Sequence, residues 1–316
     1  MFASLLKFRI FGAPLSAAVL ALALAAVMQP ATAAQPKQKS FSSPDEAAAA
    51  LVEAARSGDK KALLAVLGPE APKLGSGDAV QAKGERERFV AAYQEKHELV
   101  KDGDARATLV VGRNDWPLPI PLVKAGDGWR FDTAAGREEI LNRRIGQNEL
   151  YTIQVLLAIA DAQREYAATD RDGDGLLEYA QKFRSSQGKM DGLYWPAKQG
   201  EPPSPLGDLI AKAVREGYSS KSDKPQPYWG YYYRLLKAQG KDAPGGAYDY
   251  MAKGSMIGGF AILAYPAKYG ASGVMSFMVS HDGLVYEKDL GKDTPQAAVK
   301  LNKFNPGAGW KQVAKQ

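Results

Sequence analysis

Three aspartates at alternate positions form the clearest chemical pattern in the sequence. Asp170, Asp172 and Asp174 precede a glycine in the order D-x-D-x-D-G, the first half of an EF-hand-type calcium loop. Glu178, at the ninth loop position, could supply a further oxygen, whereas Gln181 holds the twelfth position, where a glutamate is usual. The pattern predicts a Ca²⁺ site on these four acids. The alternative is a solvated acidic turn that ends a helix.

A catalytic pair of carboxylates is the second chemistry that the sequence offers. Hydrolysis of a glycosidic bond needs two such groups about 5–9.5 Å apart. No motif singles out a pair, and the acids considered are Glu178, Asp191, Glu216 and Asp249. They support an alternative hypothesis, in which the protein is a carboxylate-dependent hydrolase that acts on envelope polymers.

Composition limits histidine and cysteine chemistry. The chain has no cysteine and 2 histidines, which excludes disulfides, thiolate zinc sites and three-histidine metal centres. His281 and Asp282 are adjacent, as in an acid–base dyad, but Ser-His-Asp-Gly between two β-favouring segments is better explained as a hairpin turn. Ser255 lacks the G-x-S-x-G elbow of serine hydrolases. The sequence therefore assigns no catalytic residue.

Aromatic side chains are concentrated in the C-terminal half of the chain. The run consists of Tyr228, Trp229, Tyr231, Tyr232 and Tyr233, with Tyr218, Tyr248 and Tyr250 nearby. Alternate residues of a strand face opposite sides, so a strand over 228–236 would place Trp229, Tyr231 and Tyr233 on one face. We expect one face to pack in the core. Rings exposed on the other face would stack on sugars or contact a partner protein.

The composition is that of an ordinary globular protein and excludes several functions. Of the 316 residues, 45% are hydrophobic and 24% are charged, which excludes intrinsic disorder and collagen-like structure. The net charge of +6 is spread along the chain rather than clustered in a basic stripe, so we expect no nucleic-acid partner.

The first 34 residues have the order of an export signal. Lys7 and Arg9 precede an apolar run over 13–28, and Ala31-Thr32-Ala33 forms an A-x-A cleavage site. The apolar run is shorter than the about 20 residues that a membrane span needs, and no second run of that length follows. We therefore expect cleavage, a mature protein without a membrane span, and a periplasmic or secreted location.

Residues 35–136 are predicted to form an N-terminal domain of helices and short strands. Three helices are expected: the first starts at the capping hydroxyls of Ser42 and Ser43, the second follows Asp59, which can cap it, and the third starts at Asp78. The third helix is expected to continue to Glu98. Strands are predicted at 106–111, 118–124 and 129–131. Prolines place the second of these strands at a sheet edge.

Residues 137–316 are predicted to form a second domain, in which a long helix packs on an antiparallel sheet. The helical pattern begins at Thr133 and continues to Tyr166, and Gly146 marks either a kink or the break between two helices. A short helix is expected at 206–216, and strands at 228–236, 258–265, 273–279 and 284–287. The chain is therefore predicted to be an α+β protein.

Several sequence blocks resemble known families. Three of them are D-R-D-G-D-G-L-L-E-Y-A from Asp170, Y-P-A-K-Y-G from Tyr265 and H-D-G-L-V-Y-E-K-D-L-G from His281. With the closing N-P-G-A-G-W, they resemble the bacterial domain-of-unknown-function family 2950, which implies an exported envelope protein without a known activity. The order of long helix and sheet is similar to the globular part of type IV pilins and pseudopilins. S-P-D-E-A from Ser43 and G-W-R-F from Gly128 are similar to nuclear transport factor 2-like folds.

Two classes of function follow from these observations. The favoured one is a non-catalytic envelope protein with a binding or structural role, whose sheet domain contacts another exported protein or a cell-wall polymer. The alternative is the carboxylate-dependent hydrolase. Paired buried acids in a deep cleft would favour the enzyme, and an aromatic patch without such acids would favour binding.

Overall fold

Three capped helices begin the computed structural model, which describes residues 38–219 and 225–314. They are α1 (Pro44–Ser57), α2 (Lys60–Leu67) and α3 (Ala79–Glu95), with a 3₁₀ turn at Ala71–Leu74 between the last two. Ser43, Asp59 and Asp78 each accept hydrogen bonds from N–H groups of the first helical turn, which confirms the three predicted helix starts. The predicted export signal, residues 1–34, lies outside the described residues.

An antiparallel sheet follows α3. Its strands are β1 (His97–Asp102), β2 (Arg106–Val111), β3 (Trp116–Pro117), β4 (Leu122–Ala125) and β5 (Gly128–Phe131). The order across the sheet is β1-β2-β4-β5, and β3 pairs with the end of β2. The hairpin predicted between the last two strands is confirmed.

The predicted end of the third helix is wrong. The prediction extends this helix to Glu98, whereas α3 ends at Glu95 and β1 begins at His97. The residues of β1 are mostly polar or charged, and nothing in their types separates them from the helix. Pairing along the whole length of β2 is what makes them a strand.

The predicted edge strand is also misplaced, because β4 lies between β2 and β5. The prolines on which the prediction rests, Pro119 and Pro121, come before the first residue of β4. They therefore remove no hydrogen bond from the ladder, and their presence does not require an edge position.

The first hydrophobic core lies between α1 and this sheet. Leu51 of α1 is buried together with Leu109 of β2, Leu122 of β4 and Phe131 of β5. Because alternate residues of each strand point to one face, the sheet buries this face against the helix and leaves the other more polar.

A single helix of 35 residues, α4 (Thr133–Ala167), contributes to both hydrophobic cores. Ile140 packs against the first core, whereas Val155, Leu156 and Ile159 are buried in the second. Gly146 lies within the helix and does not interrupt it. Of the two forms predicted for this segment, the single helix is the one observed.

The predicted domain boundary, between residues 136 and 137, falls in the first turn of α4. The described residues, 38–219 and 225–314, belong to one compact unit. The division of that unit into two domains stays a prediction.

The C-terminal half is built on a second antiparallel sheet. Its elements are α5 (Gly207–Arg215), β6 (Tyr231–Leu236), β7 (Ala238–Gln239), β8 (Tyr248–Asp249), β9 (Met251–Ala252), β10 (Ser255–Met256), β11 (Ala261–Pro266), β12 (Met275–Ser280), β13 (Val285–Asp289), α6 (Thr294–Lys300) and β14 (Lys311–Gln312). The sheet order is β14-β13-β12-β11-β6, so β6 lies at one edge. α4 packs on β11, β12 and β13, and α6 contacts β11.

The predicted strand over 228–236 begins three residues later than expected. Trp229 and Gly230 have positive φ angles of 50° and 75° and form a turn before β6. The prediction that Trp229 shares a strand face with Tyr231 and Tyr233 is therefore wrong. The other three predicted strands and the short helix are confirmed as β11, β12, β13 and α5.

Helices and antiparallel sheets together confirm the predicted α+β class. Within residues 38–219 and 225–314, no helix has both the length and the apolar character that crossing a bilayer requires.

Candidate functional site

A cavity of about 540 Å³ lies between α5 and the edge strand β6. We call it the tyrosine groove, because its lining includes Tyr218, Tyr228, Tyr232, Tyr233 and Tyr265. Apolar side chains of α4 and α5 complete the walls, among them Ile159, Leu209 and Ile210. The volume falls within the range of about 300–1,000 Å³ that small-ligand sites occupy.

Contacts at both ends of α5 tie it to the loop around Leu193 and to α4. Before its first turn, buried Leu206 donates its N–H to the Leu193 carbonyl at 3.0 Å. Near its end, the Lys212 ammonium lies 4.7 Å from the centre of the Tyr151 ring on α4. Leu209, Ile210 and Ala213 recur at helical spacing, so one side of α5 is apolar and forms a wall of the groove.

Hydrogen bonds fix the tyrosine rings of the groove. The hydroxyls of Tyr228 and Tyr151 are 3.0 Å apart, and Tyr218 donates its hydroxyl to Asp78 at 2.8 Å. The Tyr233 hydroxyl donates to Thr152 of α4 at 3.4 Å. The hydroxyls are tied to the protein, and the rings line the cavity.

Four phenols of the groove are in surroundings that favour their neutral form. Burial is the main cause that raises the pKa of the hydroxyls of Tyr218, Tyr228 and Tyr233 above the ordinary 10.0. Tyr265 has a raised pKa for the same reason. The groove therefore offers aromatic faces, and these four hydroxyls supply no phenolate base.

Buried Asp78 positions the turn at one end of the groove. One carboxylate oxygen caps α3, accepting from the N–H groups of Val80 and Gln81. The other accepts from the Tyr218 hydroxyl and, at 3.0 Å, from the Gly230 N–H. The sequence identifies Asp78 only as the start of the third predicted helix, and nothing in its surroundings in the chain signals these two roles.

Arg234 places a positive charge in the groove wall. Its Nη2 donates to the carbonyls of Ala298 and Leu301 at the end of α6. Its Nε is buried and lacks a hydrogen-bond partner in the described part of the chain. No carboxylate of residues 38–219 or 225–314 forms an ion pair with it at 4.0 Å or less.

The described lining of the groove contains no aspartate, glutamate or histidine. A general acid or base must come within about 2.6–3.2 Å of the heavy atom whose proton it gives or takes, or reach it through one water. The arrangement is therefore suited to holding a ligand by ring contacts, hydrogen bonds and one positive charge.

The three aspartates of the predicted calcium loop do come together. One carboxylate oxygen from each of Asp170, Asp172 and Asp174 lies within 4.8 Å of the others, and all three residues are exposed. Asp170 also accepts hydrogen bonds from the N–H groups of Gly173, at 2.8 Å, and Gly175, at 3.0 Å. These bonds lower the pKa of Asp170, so its charged form is favoured.

Glu178, the fourth predicted ligand, does not belong to this cluster of three. It is half-buried, and its Oε2 lacks a hydrogen-bond partner among the described residues. Gln181 donates to the Gly254 carbonyl at 2.7 Å and accepts from Lys237 at 3.1 Å. The oxygens of the three aspartates suit a hard cation such as Ca²⁺.

The other predicted acids make structural contacts. Asp191 forms an ion pair with Lys182 at 2.8 Å, and Glu216 accepts from the Trp229 indole N–H at 3.1 Å. Asp249 accepts from the backbone N–H of Met251 at 2.9 Å. Each of these three carboxylates therefore has a structural hydrogen bond or ion pair.

The His281–Asp282 segment forms the predicted hairpin turn. Asp282 accepts from the Ser280 hydroxyl at 2.7 Å and from the Leu284 N–H at 2.9 Å. The buried Nδ1 of His281 has no hydrogen-bond partner in the described structure, so the ring is not oriented by Asp282. It packs edge-on against Tyr250 and Phe260. Ser255 lies in the short strand β10.

The aromatic run is divided between core and groove. Tyr231 and Tyr250 are fully buried, whereas Tyr248 is exposed away from the groove lining. Tyr232 and Tyr265 lie side by side on neighbouring strands, with ring centres 5.6 Å apart. The sequence indicated that some of these rings would be core and others surface, but not which ones.

Comparison with known proteins identifies a family and no activity. No curated protein and no solved structure matches the chain, so the similarities to pilins and to nuclear transport factor 2-like folds gain no support. The model of the family described as "Protein of unknown function (DUF2950)" matches residues 38–313. The chain therefore belongs to the DUF2950 family.

Proposed function

We propose that the protein is an exported, non-catalytic binding protein of the cell envelope, and that the tyrosine groove is its binding site. The observation that carries the proposal is the lining of the groove. Aromatic rings, an arginine and apolar helix residues surround about 540 Å³ next to a sheet edge. Ligand sites typically combine a mostly apolar wall with a few fixed polar groups.

The chemistry of the lining favours binding over hydrolysis. Rings of Tyr232 and Tyr265 offer flat faces, and Arg234 offers a charge that no described carboxylate neutralises. The described lining residues include no carboxylate or imidazole that could transfer a proton. The hydrolase alternative has no comparable observation in its favour.

The proposed location of the protein, outside the cytoplasm, rests on the predicted export signal. The export signal predicts removal of 33 or 34 residues, so mass spectrometry of the protein from the periplasm should show an N-terminus at Ala34 or Gln35. Full-length chain in the inner membrane would contradict export.

The loop of Asp170, Asp172 and Asp174 is proposed to bind Ca²⁺ weakly, as a structural ion on the surface.

Photo-crosslinking in living cells tests the groove directly. A photoreactive residue is placed at Val214, an exposed residue of the groove wall, and in a separate variant at Val299, an exposed residue of α6 outside the lining. We expect a covalent adduct with an envelope component from position 214 alone. Equal adducts from both positions, or none from position 214, would contradict a binding role for the groove.

A further inference from the structure

The edge strand β6 has one free side, and this side faces the tyrosine groove. β6 pairs with β11 and with no other strand of the described structure. Tyr232, Tyr233 and Arg234, its central residues, line the groove. The groove wall is therefore formed in part by a main chain that has a neighbour on one side only.

The ladder register shows which backbone groups face away from β11. The Ala267 N–H donates to the Gly230 carbonyl at 2.8 Å, in the same register as the β6–β11 pairs. In an antiparallel ladder, hydrogen-bonded pairs alternate with non-bonded ones. Tyr232 and Arg234 therefore direct their backbone groups at β11, and Tyr233 and Leu235 direct theirs away from it.

The open stretch of this edge is short and has defined ends. On one side, the outward N–H and carbonyl of Tyr231 bond to Tyr228, at 3.2 and 2.8 Å. On the other side, the Lys237 carbonyl accepts from the Tyr250 N–H at 2.9 Å. Between them, the two N–H groups and two carbonyls of Tyr233 and Leu235 have no hydrogen-bond partner within residues 38–219 and 225–314.

Such a row of unpaired groups matches the main chain of another strand. Backbone N–H and carbonyl groups of native proteins are nearly always paired, either within the protein or with water or a ligand. An extended peptide that adds to a sheet edge satisfies them, and its alternate side chains enter the flanking pockets. A glycan has no such repeat of donors and acceptors.

The side chains of β6 specify what an added strand would carry. Tyr233 reaches Thr152 of α4, whereas Arg234 reaches the carbonyls at the end of α6, so neighbouring residues point to opposite faces of the sheet. On the α6 face, the guanidinium of Arg234 has no carboxylate partner among the described residues. A cross-strand acidic residue would complete the pair.

We infer that the tyrosine groove binds an extended peptide segment of another protein, which adds to β6 as a sixth strand and places an acidic side chain next to Arg234. This inference rests on the proposed binding function of the groove and adds the class of its partner. The partner segment pairs with Tyr233 and Leu235, and its alternate side chains contact the tyrosines of the two faces.

Backbone-methylated peptides test strand addition. The probes are capped, fluorescent seven-residue peptides of alternating valine and threonine with one glutamate at each position in turn, and binding is measured by fluorescence anisotropy. Two methylated forms of the tightest peptide are then made, one with methyl groups on the odd-numbered backbone nitrogens and one with them on the even-numbered nitrogens. We expect the form whose methylated nitrogens face β6 to bind at least tenfold more weakly, and the other form to bind as tightly as the unmodified peptide. Equal effects of both forms, or no binding by any peptide, would overturn the inference.

Two proline variants test the same point from the protein side. Leu235→Pro removes an N–H on the open side of β6 and no bond to β11, so we expect about tenfold weaker peptide binding. Gln312→Pro makes the matched change in β14, whose residue 312 faces away from β13 at the opposite edge of the sheet. We expect it to have no effect. Equal affinities of the two variants, with native circular dichroism for both, would overturn the inference.

The acidic residue is tested by charge removal on both partners. Replacing the glutamate of the tightest peptide by glutamine should weaken its binding to the wild-type protein several-fold, and should have no effect on its binding to Arg234→Gln. A photo-adduct at Val214 with a non-peptide component, together with no peptide binding, would overturn the strand inference and leave the proposed function standing. If position 214 gives no adduct at all, both the proposed function and the strand inference are contradicted.

Discussion

At the scale of single residues, the charged side chains of Asp78 and Arg234 differ in how fully their hydrogen-bonding groups are paired. Asp78 is buried and accepts four hydrogen bonds, two from α3 and two from the far half of the chain. Arg234 has two carbonyl partners and no carboxylate among the described residues. A saturated buried charge stabilises structure, whereas a charge without a counter-ion next to a cavity can bind a ligand.

Asp191 provides a pH test of an ion pair at the residue scale. Burial by itself raises its pKa, but the bonds from Lys182 and Ser186 outweigh this and lower it to about 2, from an ordinary value of 3.8. A carboxyl with a lower pKa in the folded state stabilises the protein above the unfolded pKa, and this contribution is lost as the pH falls from about 4 to 2. Both side chains of the Asp191–Lys182 pair are more than a third exposed, so the contribution is at most about 1 kcal/mol.

The measurement is urea unfolding of the wild type and Asp191→Asn. We expect the variant to be less stable at pH 6, and the difference to shrink as the pH falls from about 4 and to vanish only below about pH 2. A difference that stays constant between these pH values would show that the charge of Asp191 has no part in stability.

At the scale of elements, α4 is the helix that both cores share. Its start packs against the first core, its later turns are buried in the second, and Gly146 between them is exposed. An added Cβ at Gly146 would meet no atom within 4 Å. At Gly136 the same atom would lie 2.5 Å from the Pro119 carbonyl oxygen and 2.6 Å from the Ile120 Cα.

The two glycines of α4 should therefore respond to alanine in opposite directions. Gly146→Ala should raise the free energy of unfolding by about 0.5–1 kcal/mol, because alanine loses less conformational entropy in a helix. Gly136→Ala should lower it by about 1–3 kcal/mol, because backbone atoms must shift. Chemical denaturation of the two variants measures both. Stabilisation at 136, or destabilisation at 146, would show that α4 is not one continuous helix packed on Pro119 and Ile120.

Local chemistry explains which elements the sequence could predict. Ser43, Asp59 and Asp78 announce helix starts because a side-chain cap acts within three residues. β1 carries no such signal, since only its pairing with β2 makes it a strand. Trp229 is predicted to lie in a strand, but its N–H donates a hydrogen bond to the hydroxyl of Tyr218, eleven residues earlier.

The groove could not be predicted from the sequence, because it too depends on contacts between residues that are distant in the chain. Its lining joins positions from Val155 to Tyr265 that are far apart in the chain. Arg234, within a run of tyrosines, looked like one more strand residue. The three aspartates of the acidic loop, by contrast, are neighbours in sequence, and they lie close together, as the predicted calcium site requires.

At the scale of the whole molecule, buried polar side chains connect the two halves. Gln81 of α3 donates to Asn148 of α4 at 2.6 Å, and Asn148 donates to the Ser272 carbonyl at 2.8 Å. Asp78 bonds to Tyr218 and Gly230 beside the groove. Because buried polar groups that lose a partner are costly, these bonds favour cooperative unfolding of the described unit.

Calcium should stabilise this unit if the acidic loop binds it. With a dissociation constant near 1 mM, typical of weak extracellular sites, 10 mM Ca²⁺ would add about 1.4 kcal/mol and raise the melting temperature by about 3 °C. The comparison is a thermal melt in Ca²⁺ against chelator. The rise should vanish in Asp172→Ala and persist in Asp104→Ala, an exposed acid of the β1–β2 turn. Identical melts of the wild type would leave the loop as an acidic turn.

Amide hydrogen exchange at β6, measured by NMR, tests the central claim most directly. In the free protein, the amides of Tyr232 and Arg234, which bond to β11, should exchange slowly, and those of Tyr233 and Leu235 should exchange fast. Addition of the tightest peptide should slow exchange at Tyr233 and Leu235. Slow exchange at these two amides without a peptide would show that the edge is already covered, and would contradict a binding site at the tyrosine groove.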